Sequence, residues 1–406
     1  MPTIRTGQRD TLNIETGRKK TDAEPKIALF DPQQTPLVDA LFTIGREFKK
    51  DSDGRVKVGG VPLMKKVATN PRFDWWEDEL IGHKSAVNLA AGYSASATSI
   101  VVDDGTAFGS NDVVLNPRTG EIIEIDSVST NTLTVRRGIG NSGTGVAMND
   151  NDELVVIGSV YPEGASSLSG RSTLEVNNYN YTQIQRTPVE ETRTMSKTEL
   201  YTEKDWAFQL KKQGIEHLKK IERMLWFGKR EESTNSTNNA SGKPKRFSGG
   251  IIGQYISTNV TSFAGTMTES DFHAFLETAL KNGSSMKYLF CAPRVLSVIS
   301  NWAQGRLQTK IDDKAYGLTI HEYQSPHGMV KLVRQPIFDE MSEYNGAAVA
   351  LDMRNLKYRF LQDSDVQLLN NRQENDVDGR KSEYLSESGL QMMLEKEAAM
   401  FKGVTG

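Results

Sequence analysis

Residues 174–185 read LEVNNYNYTQIQ, and the fold turns on what this stretch can lie against. In a β-strand, Asn177, Tyr179, Tyr181 and Gln183 share one face, and Val176, Asn178, Asn180, Thr182 and Ile184 share the other. Neither face is apolar enough to rest on a core. The tyrosines, the valine and the isoleucine nevertheless favour a strand, and Pro188 follows as a stop. The stretch therefore reads as a ribbon that touches something outside its own domain.

Outward from the ribbon the chain changes character twice. Toward the N-terminus, residues 84–158 carry short β runs, TSIVV, DVVL, GEIIEI, NTLTV and ELVVIG, separated by turn clusters such as Asn116-Pro117-Arg118-Thr119-Gly120. They predict a self-contained small barrel or sandwich, inserted between an outgoing segment, FDWWEDELIG, and the returning ribbon. Toward the C-terminus lies TEKDWAFQLKKQGIEHLKKIERMLWFGK. There Ala207, Leu210, Gly214, Leu218, Ile221 and Leu225 step by three and four, Thr202 and Asp205 form a start signal, and Gly228 sits at the stop. This predicts a spine helix of about 25 residues with one narrow seam buried and Lys219, Lys220, Glu222 and Arg223 among its outward residues.

Beyond a polar linker an α+β pattern follows. Helices are expected from Thr268 and from Pro293, a buried strand over residues 286–292, a hairpin turning at Pro326-His327-Gly328, and further strands in AAVALDM and LKYRFLQ. The tail from Ser382 to Val404 fits strand or helix. At the other end, residues 1–36 are polar, with Pro25, Pro32 and Pro36, and read as an arm that orders against a partner; a short helix follows on Leu37, Leu41, Ile44 and Phe48.

With 37% hydrophobic and 25% charged residues, a chain of 406 residues is ordinary for a soluble globular protein of two or three domains. Forty-nine basic against 52 acidic residues give a net charge of −3, so no overall basic field grips nucleic acid. The single cysteine, Cys291, sits in an apolar run and excludes intrachain disulfides. No signal peptide and no apolar run of membrane-spanning length is expected.

Catalytic constellations are missing from the sequence. The histidines, His83, His217, His273, His321 and His327, lack metal-ligand spacing, and no Ser lies in GxSxG. Residues 138–145, GIGNSGTG, superficially suggest a dinucleotide loop but follow a β pattern without opening a helix, so a turn loop is expected. The carboxylates Glu77, Asp78, Glu79 and Asp150, Asp152, Glu153 read as solvated faces, and KPKRF over 243–247 as a weak phosphate contact at most. Neither a cofactor nor a metal is expected. The aromatics carry the stronger signal, because Trp75 and Trp76 are adjacent and must face opposite ways in a strand. Trp75, Trp76, Asn177, Tyr179, Tyr181 and Gln183 are accordingly the candidate subunit-interface residues; packing of the aromatics on the inserted unit is the alternative.

The order of parts, with VYPEG and NNYNYTQI, EHLKKIERMLWFGK followed by SGGI, HEYQSPHGMVKLV and LDMRNLKYRFLQ, resembles that of tailed-bacteriophage major capsid proteins of the Hong Kong 97-type fold, in a subgroup with a β domain inserted in the extended loop. The resemblance covers about residue 35 to the C-terminus. It implies an α+β subunit with an N-terminal arm over 1–50, extended-loop ribbons over 55–83 and 159–198, and the inserted β domain over 84–158. A peripheral domain would comprise 199–230 and 353–406, and an axial domain 231–352. It further implies self-assembly into hexamers and pentamers of an icosahedral or elongated shell around double-stranded DNA. Portal, scaffolding or decoration proteins would be its partners, and the virion its place after assembly in the host cytoplasm. The alternatives are an encapsulin-like nanocompartment shell and a phage surface-binding or decoration protein using the inserted domain.

Overall fold

The computed structural model describes residues 35–43, 48–50, 56–58, 64–166, 170–200, 204–233, 242–302 and 320–405. Nearly all of the expected arm, together with Ile44 and Thr202, falls outside them. The chain divides into two compact units, residues 1–75 with 178–406, and residues 76–177.

Among the described residues the first unit holds two large sheets beside short two-stranded pairs. One runs in the order Gln183–Thr192, Gly379–Met392, Leu356–Leu361, Lys65–Ala68, with Gln367–Leu369 also paired to Gly379–Met392. The other has six strands in the order Val260–Gly265, Ala399–Val404, Ala348–Leu351, Met286–Cys291, Gly328–Arg334, Ile320–Ser325. The expected hairpin is there, Ser325 opposite Gly328. The tail is therefore two strands. Residues 399–404 lie between Val260–Gly265 and Ala348–Leu351 of the six-stranded sheet, apart from the sheet that holds 356–361 and 379–392, with Ala399, Met400 and Phe401 buried.

Among the described residues five α-helices accompany the sheets: α1 (Pro36–Thr43), α2 (Arg193–Lys197), α3 (Asp205–Phe227), α4 (Glu269–Leu280) and α5 (Pro293–Trp302). Helix α1 ends before Phe48, which opens a short strand instead. Helix α4 starts in a capping box, Thr268 and Asp271 each satisfying the other's backbone amide. Helix α3 is the expected spine, but the buried stripe differs from the expected seam. Ile221 and Leu225 are fully buried, Leu210, Gly214 and Leu218 half-buried, and Ala207 exposed. The stripe widens toward the C-terminal end, where Trp226 meets Phe290 and Phe338 edge-on, with ring centroids 5.4 and 4.8 Å away. Gly214 makes room for Tyr384: a Cβ there would stand 3.1 Å from the phenol oxygen, which donates to Leu210 O at 3.1 Å.

Two charged or polar residues on α3 were assigned outward or left neutral by pattern and prove to be structural. Glu222 is fully buried and accepts from Leu37 N (3.0 Å), Val38 N (2.7 Å), Trp226 Nε1 (3.1 Å) and Gln335 Nε2 (2.6 Å). It thereby caps α1 from 184 residues away along the chain. Burial outweighs those four donors and raises its carboxyl to about 7. His217 bridges Thr187 Oγ1 (3.1 Å) and Ser386 Oγ (2.9 Å), and burial followed by the charge of Lys220 lowers it to about 4.

The second unit is an antiparallel sheet in the order Lys84–Ala86, Glu153–Ser159, Asp112–Asn116, Glu121–Ser129, Thr132–Arg136, Ser99–Val101. Its two ends meet through the Val87–Val102 bridge, with Asn88 N on Val101 O and Asp103 N on Ala86 O, both at 2.9 Å. The sheet is thus closed, removing its edges. Val87, Ile100, Val102, Val114, Ile123, Ile125, Leu133 and Leu154 fill it. A buried ion pair organises one end. Arg137 Nε and Nη2 reach Glu121 at 2.8 and 2.6 Å, and Glu121 also accepts from Gly138 N and Val146 N at 3.1 Å. Burial pushes the Glu121 carboxyl up, but Arg137 and the two amides hold it below the ordinary carboxylate range. GIGNSGTG is the turn loop that this pair clamps, with left-handed backbone at Gly138, Gly140, Ser142 and Gly143.

Candidate assembly surface

The opening stretch resolves into two strands broken at Thr182. Val176–Tyr181 pairs with Arg72–Glu77, and Gln183–Thr192 pairs for ten residues with Gly379–Met392. The break shifts the alternation, so the buried residues run Asn180, Tyr181, Thr182 and then Gln185, Thr187, Val189. The polar face lies on the core after all, because most of its polar groups find a partner there, Gln185 Oε1 being an exception. Asn180 Nδ2 donates to Leu390 O (2.6 Å) and Gly249 O (3.0 Å), and its Oδ1 accepts from Gly249 N (2.8 Å). Thr182 Oγ1 donates to Glu387 (2.8 Å), and Thr187 meets His217. Residues 183–192 thus belong to the sheet that holds Gly379–Met392.

This sorts the six interface candidates. Trp75 is buried, stacked on Phe73 at 6.2 Å and tilted against Tyr255 at 6.0 Å. Tyr181 is buried and meets Tyr179 edge-on at 5.7 Å. Tyr179 lies between the guanidinium groups of Arg72 and Arg230, 4.1 and 3.9 Å from its ring centroid, and its carbonyl accepts from Arg230. Gln183 Oε1 accepts from Ser248 N at 3.1 Å. These four side chains make contacts within their own chain, Trp75 and Tyr181 buried and Tyr179 and Gln183 half-buried. Trp76, pointing opposite to Trp75 as the strand requires, is 67% exposed, and Asn177 is exposed.

Sequence reading missed the larger part of the exposed apolar surface. Leu80 is 94% exposed and Leu174 87%, with Val176 exposed beside them. Within the second unit, residues 77–82, 170–174 and Val176 line a groove of about 1090 Å³ together with Phe108 and Val128. Arg171 ties the returning segment to the barrel by donating to Thr106 O. The available signal was Leu80 in EDELIG and Leu174 in GRSTLE, each in a polar stretch without the periodic companions of a core residue. Large apolar side chains left on extended segments mark a surface that a further molecule covers.

Asp152 is locked by Arg118 at 2.6 Å and lowered to about 2 by that contact, despite burial and with help from Asn149 N and Asn116. Burial raises the Cys291 thiol far above its ordinary value, so it stays protonated. Among the described residues no group of three His, Cys, Asp or Glu side chains is placed to hold a metal, and no helix is long and apolar enough to cross a membrane.

Comparison with known proteins places the chain. A family model described as SU10 major capsid protein matches residues 5–405. A major capsid protein of Pseudomonas phage PaMx41 is 22% identical over 289 residues, covering 67% of both chains. Among solved structures, the cyanophage A-1(L) capsid is 8% identical and matches 97% of this chain and 99% of its own at a TM-score of 0.49. The encapsulin of Synechococcus elongatus is 11% identical and matches 57% of this chain and 78% of its own at 0.38.

Proposed function

The chain belongs to the SU10 major capsid protein family, and from that premise we propose that it builds the head shell around phage double-stranded DNA, with no catalytic activity of its own. Shell formation comes with the family; enclosure of DNA, hexamers and pentamers, portal, scaffolding or decoration partners and assembly in the host cytoplasm are the reading offered here. The supporting observation is the family match along nearly the whole chain, joined to exposed Trp76, Leu80, Leu174 and Val176 on the segments 76–80 and 174–176.

In this reading the sheet carrying α3 acts as the peripheral domain, and the six-stranded sheet with α4 and α5 as the axial domain. Residues 76–83 and 159–177 act as the extended loop that lies on a neighbouring copy, and the barrel is the insert. The net charge of −3 suits a wall that surrounds a polyanion without adhering to it. Electron microscopy of the purified chain tests the reading: shells or capsomers are expected, and monodisperse monomer at high concentration contradicts it. Genes for portal and terminase beside its own would set a phage head apart from a cargo-loaded compartment.

A further inference from the structure

A lysine and an aspartate 300 positions apart meet at the edge of the sheet that carries Leu356–Leu361. Lys65 opens the strand Lys65–Ala68 and stands in parallel register with Tyr358, so the two side chains share one face of the sheet. Lys65 Nζ donates to Asp365 Oδ2. Asp365 is set there by the turn that follows Leu356–Leu361, with Ser364 N on Leu361 O and Glu387 N on Ser364 O, both at 2.9 Å.

Three rings enclose the amine. The centroids of Phe42, Phe360 and Tyr358 lie 4.5, 5.2 and 5.7 Å from Nζ. Phe42, from α1, meets Tyr358 edge-on at 5.1 Å, and Phe360 stacks on Tyr358 at 6.3 Å, so helix and strand both build the wall. Only 17% of the Lys65 side chain and 30% of the Asp365 side chain is exposed. Asp365 Oδ1 is buried with no hydrogen-bond partner among the described residues. Burial raises the Tyr358 phenol above its ordinary value, Ser388 opposing and the Asp365 charge adding, so a protonated hydroxyl stands beside the carboxylate.

A charge pair fits this place poorly. Ammonium and half-paired carboxylate both lose hydration there, whereas an amide carries no charge. An amine and a carboxyl held in contact are also spared the entropy of finding each other. We propose that Lys65 and Asp365 condense into an intrachain amide, a covalent staple between the strand Lys65–Ala68 and the turn after Leu361. The ammonium first gives a proton to Asp365 Oδ2, and the neutral Nζ then attacks Cγ. The C–N bond forms and the Cγ–Oδ2 bond breaks. The hydroxyl leaves as water with a second proton from the nitrogen, and no oxidant or further reactant enters. The ladder that the staple secures is four residues long, Lys65–Ala68 on Tyr358–Leu361, so a pull on the outgoing segment is borne by a covalent bond. Because the bond lies inside one chain, it forms with or without a shell.

Mass spectrometry of the folded, unassembled full chain tests this. The wild type is expected to weigh one water less than its sequence, and its digest to contain a branched peptide joining the segments around Lys65 and Asp365. Lys65→Arg, which keeps the ion pair, and Asp365→Ala are expected to have the full sequence mass and to migrate more slowly in a denaturing gel, where the staple keeps the wild type more compact. The branched peptide identifies the bond in the wild type even where a variant fails to fold. Wild-type chain of full sequence mass, with no branched peptide after prolonged incubation at neutral pH, would overturn the proposal and leave a plain ion pair. So would a water deficit that persists in both variants, which would place the lost water elsewhere.

Discussion

Glu222→Ala removes one side chain and strips four buried donors of their acceptor. Leu37 N, Val38 N, Trp226 Nε1 and Gln335 Nε2 lie 2.6–3.1 Å from the carboxylate. A buried donor left unpaired costs about 1–3 kcal/mol, so keeping α1 seated would cost roughly 4–12 kcal/mol. The three largest side chains that α1 buries, Leu37, Val38 and Leu41, contribute about 5–9 kcal/mol in return. The two ranges overlap, so the seated helix keeps little or no net stability and its release is expected. Its exposed backbone then finds water, and the loss is local. Hydrogen exchange of the unassembled variant should show residues 36–43 exchanging about a hundredfold faster or more, equivalent to a loss of about 3 kcal/mol, while the strands of the six-stranded sheet keep most of their protection. Unchanged protection over 36–43 would refute the assignment of Glu222 as the cap of α1.

The same carboxyl sets a pH dependence. Raised to about 7 in the folded chain from an ordinary value near 4.5, it holds a proton that the unfolded chain releases, so its contribution is complete below about 4.5 and is lost as pH rises through about 7. The loss amounts to about 3 kcal/mol, and Glu222→Gln should flatten that part of the stability profile measured by denaturant titration. Arg137→Leu strands the Glu121 carboxylate inside the barrel and should cost about 3–5 kcal/mol in thermal unfolding of the full chain. Trp75→Ala should destabilise the unassembled chain by about 3–5 kcal/mol, whereas Trp76→Ala should leave its melting unchanged and reduce particle yield.

Features set by short-range pattern were legible in the sequence. The barrel strands were bounded by turn residues, Asn111, Thr130 and Asn151 among them taking left-handed backbone. The spine helix followed from its three-and-four spacing and from Gly228, where a Cβ would stand 2.2 Å from Ser248 O. Features set by distant partners were not legible. A glutamate on a helix reads as solvated, and Glu222 is buried because Leu37, Val38 and Gln335 arrive from far along the chain. Asn180 and Thr182 made their strand look like a free ribbon, since nothing local reveals Leu390, Gly249 or Glu387 beside them. At the assembly surface Trp76 was legible by alternation, whereas Leu80 and Leu174 have no period to betray them. The meeting of Lys65 with Asp365 joins residues 300 positions apart, which no spacing encodes.

The central claim is that residues 76–82 and 170–177 are covered by a neighbouring copy in the shell. Hydrogen exchange measured on intact particles against unassembled chain tests it most directly. The account predicts strong new protection in both segments on assembly, with little change at the buried end of α3; equal exchange of the two segments in the two states would contradict it.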